Sequence, residues 1–448
     1  MIFAITGDGV HKSTLLSSNE MNRFILWVFS VSIQTAALCS EQADTSSTLL
    51  VELQYRPRIE YRNGYRELPN DTLGPAYFGT HRCRIGTTYT SSDFLVHLSV
   101  QDVRVWGSYG TISTGGSVSV YEAYGEVPLF DGLRLRLGRQ SVELDNGRLF
   151  SAANWNQHSR AHDGLRLTYS EGNSFNSSLL SFFNQLDAQI FGTSYLTQAS
   201  NNYKWLGIHT LSVNLSENMQ LYVQNSGDGH QSQYNPRVLY VRGTSGVRLS
   251  YSHEDLQATV CSYYQYGRLQ NGLSIAAYYI QPEFSYRFGD ITVRAGGEYM
   301  SGDNGLEKAA TSKSFVPLYG VTWKFMGNMD YFTTFPSDVR GGGLVNPYLS
   351  LTYHSTPKLS VRTDFHLFYL QNNVADAMGA VLPSFLGVEM DMSARYIHSK
   401  HMVLEGGLSL FRATSVLAEL RGGNANSVPK WIYVMLTISP VIFERAVP

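Results

Sequence analysis

Between Val51 and Ser170 the chain carries 13 arginines and no lysine: Arg56, Arg58, Arg62, Arg66, Arg82, Arg84, Arg104, Arg134, Arg136, Arg139, Arg148, Arg160 and Arg166. The same stretch holds 12 carboxylates, among them Asp102, Glu122, Glu126, Asp145 and Asp163, so it is nearly neutral and is not a basic patch. The pairs Arg56/Arg58, Arg82/Arg84 and Arg134/Arg136 are spaced i, i+2, which puts both members on one face of an extended strand. A guanidinium stays charged at any working pH, and its planar fork fits a carboxylate bidentately. A ladder of such forks along a wet passage lowers the barrier to a polyanion and hands carboxylates from one fork to the next. The structural alternative is that these arginines pair with the carboxylates and brace an interior that has no apolar core. Both roles can coexist.

A second polar stretch runs from Asp145-Asn146-Gly147-Arg148 through Asn154-Trp155-Asn156-Gln157 to Arg160 and Asp163-Gly164. It is too polar to face lipid. It reads either as a loop folded into a lumen, with Trp155 stacking on a sugar ring and Arg160 meeting a carboxylate, or as an ordinary surface loop. Catalysis finds little support. The histidines (His97, His209, His253, His354, His366, His398) lie in no Gly-x-Ser-x-Gly elbow, and no phosphate loop, dinucleotide fingerprint or zinc spacing occurs. No catalytic residue, cofactor or metal is assigned, and His366, alternating with Asp364, reads as pore lining.

The elements that must position these groups are strands. From about Ser47 to Phe443 apolar and polar residues alternate with period two, broken by turn signals such as Asp131-Gly132 and Asp145-Asn146-Gly147. Leu359, Val361, Phe365, Leu367 and Tyr369 fall on one face, with Arg362, Asp364 and His366 on the other; Ile432, Val434, Leu436 and Ile438 repeat the pattern. Parity breaks once: Phe94, Val96, Leu98 and Val100 are apolar at even numbers, Val103 and Val105 at odd ones. A bulge near Gln101-Asp102 restores the facing of both halves. Charged residues recur opposite bulky apolar ones, and aromatic residues crowd the strand ends (Tyr77-Phe78, Trp106, Tyr331-Phe332), as in interface girdles.

These features predict an all-β protein, a transmembrane antiparallel β-barrel of about 16–18 strands with 18 favoured, in one domain over residues 41–448. A barrel of that size encloses water, so its default function is a channel. A net charge of −2 argues against a nucleic-acid partner, and a mean hydropathy of −0.16 excludes a bundle of membrane-spanning helices. Residues 1–40 read as an upstream extension plus a secretory signal: Arg23 precedes the apolar run Phe24–Leu38, and Met21 is the expected true start. Cys39 sits poorly for lipidation after Leu38, while Cys83 and Cys261 lie in strand-like stretches, are expected to pack against lipid, and form no metal-like cluster.

The residues also carry a resemblance. The runs Gln101–Gly107, Tyr121–Tyr124, Leu137–Gln140, Asn146–Leu149 and Trp155–Gln157, followed by Glu298–Gly302, Pro317–Gly320, Lys324-Phe325 with Asp330–Phe332, and Trp431–Pro440, resemble the alginate export family of outer-membrane porins. The likeness is greatest to the branch of Bacteroidetes-like Gram-negative bacteria. It implies a monomeric 18-strand barrel in the outer membrane of a Gram-negative bacterium. Such a barrel passively exports or passes an anionic uronic-acid polysaccharide or oligosaccharide through an Arg-lined lumen. The pore-lining, anion-binding set on this reading is Arg56, Arg58, Arg82, Arg84, Arg104, Arg134, Arg136, Arg139, Arg148 and Arg160, of which Arg104, Arg139, Arg148 and Arg160 are the foremost candidates. Asp102, Glu122, Glu126, Asp145, Trp155 and Asp163 are their lumen partners. Trp323 stands where the family pattern leads one to expect histidine, and Phe443 is followed by five further residues where an assembly signal ends on an aromatic. The implied partners are the anionic saccharide or small anionic solutes, outer-membrane lipid, the barrel-assembly machinery and periplasmic export proteins. Two other functions fit the same strands: a general diffusion porin whose arginines are only braces, and a structural or adhesive barrel plugged by its own loops.

Overall fold

The computed structural model describes residues 47–447, except 71, 113–115, 193–194, 196, 198–202 and 308; the leader expected over residues 1–40 lies outside them. From Ser46 onward the chain is one compact unit. Its strands are β1 (Ser47–Asn63), β2 (Ala76–Thr90), β3 (Leu95–Val105), β4 (Val118–Phe130), β5 (Leu133–Gln140), β6 (His162–Glu171), β7 (Phe175–Phe183), β8 (Trp205–Ser216), β9 (Met219–Gln231), β10 (Leu239–His253), β11 (Leu256–Arg268), β12 (Ser274–Phe288) and β13 (Ile291–Met300). They continue with the two-residue β14 (Thr311–Ser312), β15 (Leu344–Thr356), β16 (Leu359–Leu370), β17 (Phe385–Ser399), β18 (Met402–Ala413), β19 (Lys430–Ile438) and β20 (Val441–Val447). Each long strand pairs antiparallel with the next. β19 and β20, one strand interrupted at Ser439-Pro440, return to β1 and close an 18-strand barrel. No helix among the described residues is long and apolar enough to cross a membrane; the barrel would cross with strands.

The alternation read from the sequence is what closes the sheet with one face to lipid. On β16 Phe365 and Leu367 face out while Asp364 and His366 are buried inside, and on β19 Val434 stays 52% exposed outside with Trp431 and Tyr433 buried within. Connections at one rim are tight. Asp131-Gly132 joins β4 to β5, and Gly132 sits at φ +75° with no room for a Cβ, which would lie 2.6 Å from the Ser170 carbonyl. The long connections gather at the other rim: 141–161, 184–204, 301–343, 371–384 and 414–429, the last containing helix α1 (Ser415–Arg421), capped by the Thr414 hydroxyl.

Four expectations are corrected. The interior does have an apolar core, because loops 141–161 and 301–343 fold inward: Phe150, Phe315, Phe325, Met326, Met329 and Phe332 are buried against inner-face residues such as Tyr279 and Phe368. Tyr331 and Phe332, expected at the membrane interface, belong to this core and pack on Phe411 and Phe368, with ring centroids 4.4 and 4.7 Å apart. No bulge interrupts β3 against β2, whose register runs unbroken from Thr80↔Val105 to Thr90↔Leu95. The irregularity lies across in β4, where Tyr121 is the extra residue opposite Ser99/Val100. Val103 and Val105 therefore turn inward beside Arg82 and Thr80. The parity change reflects a wall that ceases to face lipid near the rim. Cys83 and Cys261 are both free, and Cys261 is buried beside Tyr263 on the inner face rather than against lipid.

Candidate functional site

The inward loops divide the lumen. Loop 301–343 is zipped to loop 141–161 by backbone bonds: Tyr319 N–H to the Leu149 carbonyl (2.9 Å), Ser151 N–H to that of Tyr319 (3.2 Å) and Val321 N–H to that of Gly147 (3.1 Å). The approach is so close that a Cβ on Gly320 would stand 1.8 Å from the Arg148 carbonyl, so only glycine fits. Arg148 pins this pair of loops to the wall. Its Nε lies 2.6 Å from Glu298 of β13, both side chains are 0% exposed, and its Nη1 donates to the Val321 carbonyl at 3.1 Å. Tyr279 completes the group by donating to Glu298 at 2.8 Å. A fully buried guanidinium needs fixed acceptors on every side. Arg148 is thus an anchor and not the pore-lining group expected of it.

The β1–β2 arginines hold the second half of loop 141–161. Arg56 donates to the carbonyls of Asn154 (2.7 Å) and Asn156 (3.0 Å), and Arg58 to that of Trp155 (3.2 Å). Arg82, 0% exposed, bonds Ser159 (2.7 Å), the Asn154 side chain (2.9 Å) and Gln54. Arg84 bonds Gln101 (2.7 Å) and lies 3.6 Å over the Tyr121 ring. Arg56, Arg82 and Arg84 therefore stand behind the loop rather than on the open surface. Among the described residues they form no ion pair with a carboxylate; their partners are neutral oxygens.

The remaining predicted residues separate by face. Arg134 and Arg136 point inward to Glu126 (3.4 and 2.6 Å), and Glu122 accepts from Ser141 N–H. Asp145 pairs with Arg248 at 2.5 Å. Arg160 reaches the Ser151 carbonyl (3.3 Å), and burial lowers its pKa from the usual guanidinium value. Asp102 and Arg104 are corrected: they lie opposite Cys83 and His81, on the face away from Arg82. There Asp102 binds Arg104 (2.5 Å) and His81 (3.1 Å), and Trp106 donates to His81. Arg139 and Asp163 are likewise an exposed pair (2.7 Å) on the outer face, in register with Ala123 and beside the outward Leu137 and Leu165. Period-two parity carries these four out of the lumen once β3 is read without a bulge.

Two cavities on either side of the loops share Trp155 and Trp323. Toward the loop rim a vestibule of about 720 Å³ is lined by Arg58, Arg62, Arg66 and Arg160 against two carboxylates, Glu60 and Asp330, with Arg104 at its edge. Toward the turn rim a cavity of about 270 Å³ sets Lys324, Arg362 and Arg395 against Asp364, Asp391 and Glu405. The two tryptophan rings lie 5.7 Å apart, Trp155 meets Tyr433 edge-on at 5.0 Å, and Arg58 stands 5.2 Å over Trp155. Sequence reasoning found Trp155 but missed Trp323, Trp431 and Tyr433 as its neighbours. The signal for the last two was present, since they occupy the face opposite Ile432 and Val434.

The model of the family described as "Alginate export" matches residues 119–428. The comparison with curated proteins gives no match. Among solved structures the chain is similar to OccK9 (OpdG) of Pseudomonas aeruginosa, with a TM-score of 0.60 and 14% identity over 88% of this chain and 98% of that one. It is also similar to the outer-membrane protein OpdK of Pseudomonas aeruginosa (0.59, 10%, 89% and 99%) and to a BenF-like porin of Pseudomonas fluorescens Pf-5 (0.58, 13%, 90% and 100%). At these identities the likeness concerns the fold.

Proposed function

The chain belongs to the alginate export family and is a β-barrel channel of the Gram-negative outer membrane, and on that premise we propose that it passes anionic, uronic-acid-type saccharides by passive diffusion. The loop rim faces outward from the cell and the turn rim faces the periplasm, as in barrels with short periplasmic turns. The path runs through the loop-rim vestibule, past Trp155 and Trp323, into the turn-rim cavity.

The observation that carries this reading is the surplus of guanidinium over carboxylate around the aromatic pair. Four arginines face two carboxylates in the vestibule, and Arg56, Arg82 and Arg84 stand behind its wall bound to neutral oxygens. A carbonyl orients a guanidinium without cancelling its charge, so the wall keeps a positive field that lowers the barrier for anions. The tryptophan faces offer apolar platforms for sugar rings on the same path.

A general porin is favoured by a different observation: Arg56, Arg58, Arg82 and Arg148 all spend donors on loop carbonyls and so act as braces. Planar-bilayer recordings of the refolded chain separate the two. Reversal potential in a KCl gradient and block by oligouronates are expected to show anion preference, with block weakened about three- to tenfold in Trp323→Ala, the range for loss of one aromatic contact. Conduction without selectivity or block would leave the general porin, and a folded barrel that never conducts would leave a plugged, structural one.

A further inference from the structure

A third cavity, of about 450 Å³, opens near the loop rim beside the vestibule, sharing Pro317, Leu318 and Tyr319 as a partition. Its volume lies within the usual range for small-ligand sites, roughly 300–1,000 Å³. The conduction path described above does not use it.

Its charge is unlike that of the other two cavities, for three cationic or titratable bases line it and no carboxylate does: His230, Arg242 and Arg268. Two of them are committed. Arg242 and His230 each lie 2.6 Å from Asp228, a buried carboxylate that also accepts from the Tyr319 hydroxyl at 3.2 Å. That group fixes the floor and ties it to the partition. Arg268 is different. It stands exposed at the end of β11, 5.9 Å over the Tyr240 ring, and forms no ion pair among the described residues. Around it are the carboxamides of Gln233, Gln270 and Asn271, with the apolar Leu318 and Phe335 on another side. An unpaired guanidinium, several carboxamides and the aromatic side chains of Tyr319 and Phe335 form the set that a carboxylate-bearing sugar ring requires: a fork for the carboxylate, donors and acceptors for hydroxyls, and an apolar surface for the ring face.

We infer that this cavity is a second binding site, separate from the conduction path, for a single acidic sugar unit whose carboxylate is held by Arg268. The sugar class rests on the proposed function, whereas the location and the need for a carboxylate rest on the cavity itself. The test is calorimetric titration of the full chain, refolded in detergent, with glucuronate, glucose and acetate as probes. Glucuronate is expected to bind at least about tenfold more tightly than either glucose or acetate. Arg268→Gln is expected to weaken glucuronate at least about tenfold, the usual loss for a charged hydrogen bond, and Gln270→Ala a few-fold. Heat-modifiable migration in each variant verifies the folded barrel, and conductance and reversal potential are expected to stay as in the parent chain. Unchanged glucuronate affinity in Arg268→Gln overturns the site, as does glucose binding equal to that of glucuronate. Acetate binding as tightly as glucuronate overturns the sugar assignment. Failure of the channel reading appears separately, as a parent chain without anion preference in the bilayer.

Discussion

The two chambers on either side of Trp155 and Trp323 are built from the same residue types to different electrostatic ends. In the turn-rim cavity the bases meet acids one for one: Arg362 holds Asp364 at 2.7 Å, and Arg395 holds Glu405 at 3.5 Å. In the loop-rim vestibule Arg58 and Arg62 share Glu60 (2.9 and 2.7 Å) and Arg66 holds Asp330 (3.1 Å), whereas Arg160 on the Ser151 carbonyl, and Arg56 and Arg82 behind the wall, are held by neutral oxygens. An ion pair and a carbonyl cradle order a guanidinium equally well, but only the cradle leaves a field for a passing ion. Selection by charge on this reading is completed before a solute reaches the tryptophans, and the chamber beyond them is close to neutral.

The contrast is broken most severely by releasing the partition itself. Arg148→Ala leaves Glu298 buried without its counter-charge, an effect worth about 3–5 kcal/mol. Its expected outcome is a lower unfolding temperature together with a larger, noisier conductance as the two chambers merge. An Arg148→Met/Glu298→Leu variant is expected to recover much of the stability, since it removes both charges together. A smaller effect is expected from Arg56→Gln/Arg82→Gln, which keeps donors for the loop carbonyls but removes two charges. Anion preference measured by reversal potential should fall several-fold, and more at low than at high salt, because screening shortens the reach of charges behind the wall. The smallest effect is expected from Arg139→Ala. It lies on the outer face in an exposed pair with Asp163, so reversal potential should not move, and stability should change by less than about 1 kcal/mol. A marked loss of anion preference would return this arginine to the lumen and contradict the register of β5.

The strands were legible because lipid outside and water inside impose period two on every wall segment, as Phe365/Leu367 against Asp364/His366 demonstrate. Legibility failed where that contrast fades. Near the loop rim the outer face of β3 carries Asp102 and Arg104, so apolar Val103 and Val105 no longer mark the lipid side, and the parity change that suggests a bulge is a change of surroundings. It failed again for loops that enter the barrel. Tyr331 and Phe332 carry the composition of an interface girdle, and only their contacts with Phe411 and Phe368 reveal a core. Arg148 was visible as a polar-loop arginine, but its partner Glu298 is 150 positions away, a pairing that no local pattern encodes. The sequence suggests a bracing role for Arg56 and Arg82 but with carboxylates as partners; the carbonyls that hold them belong to loop 141–161, whose composition fits an inward path and a surface loop equally.

The interruption of the last strand bears on what it costs to close the barrel. β1 receives its final partner in two pieces, β19 and β20, around Ser439-Pro440, and the ladder shifts register at Val51/Glu52, where Leu53 N–H reaches the Pro440 carbonyl (3.1 Å). Proline adds no N–H to that ladder. Closing this seam joins residues nearly the whole chain apart, the pairing with the largest loop entropy in the molecule. The other neighbouring strands are joined by a turn or by a loop no longer than 301–343, whereas this pair is joined only through the whole barrel. The meeting of the first and last strands is therefore the closure with the largest entropic cost, at a place where their hydrogen-bond ladder is interrupted.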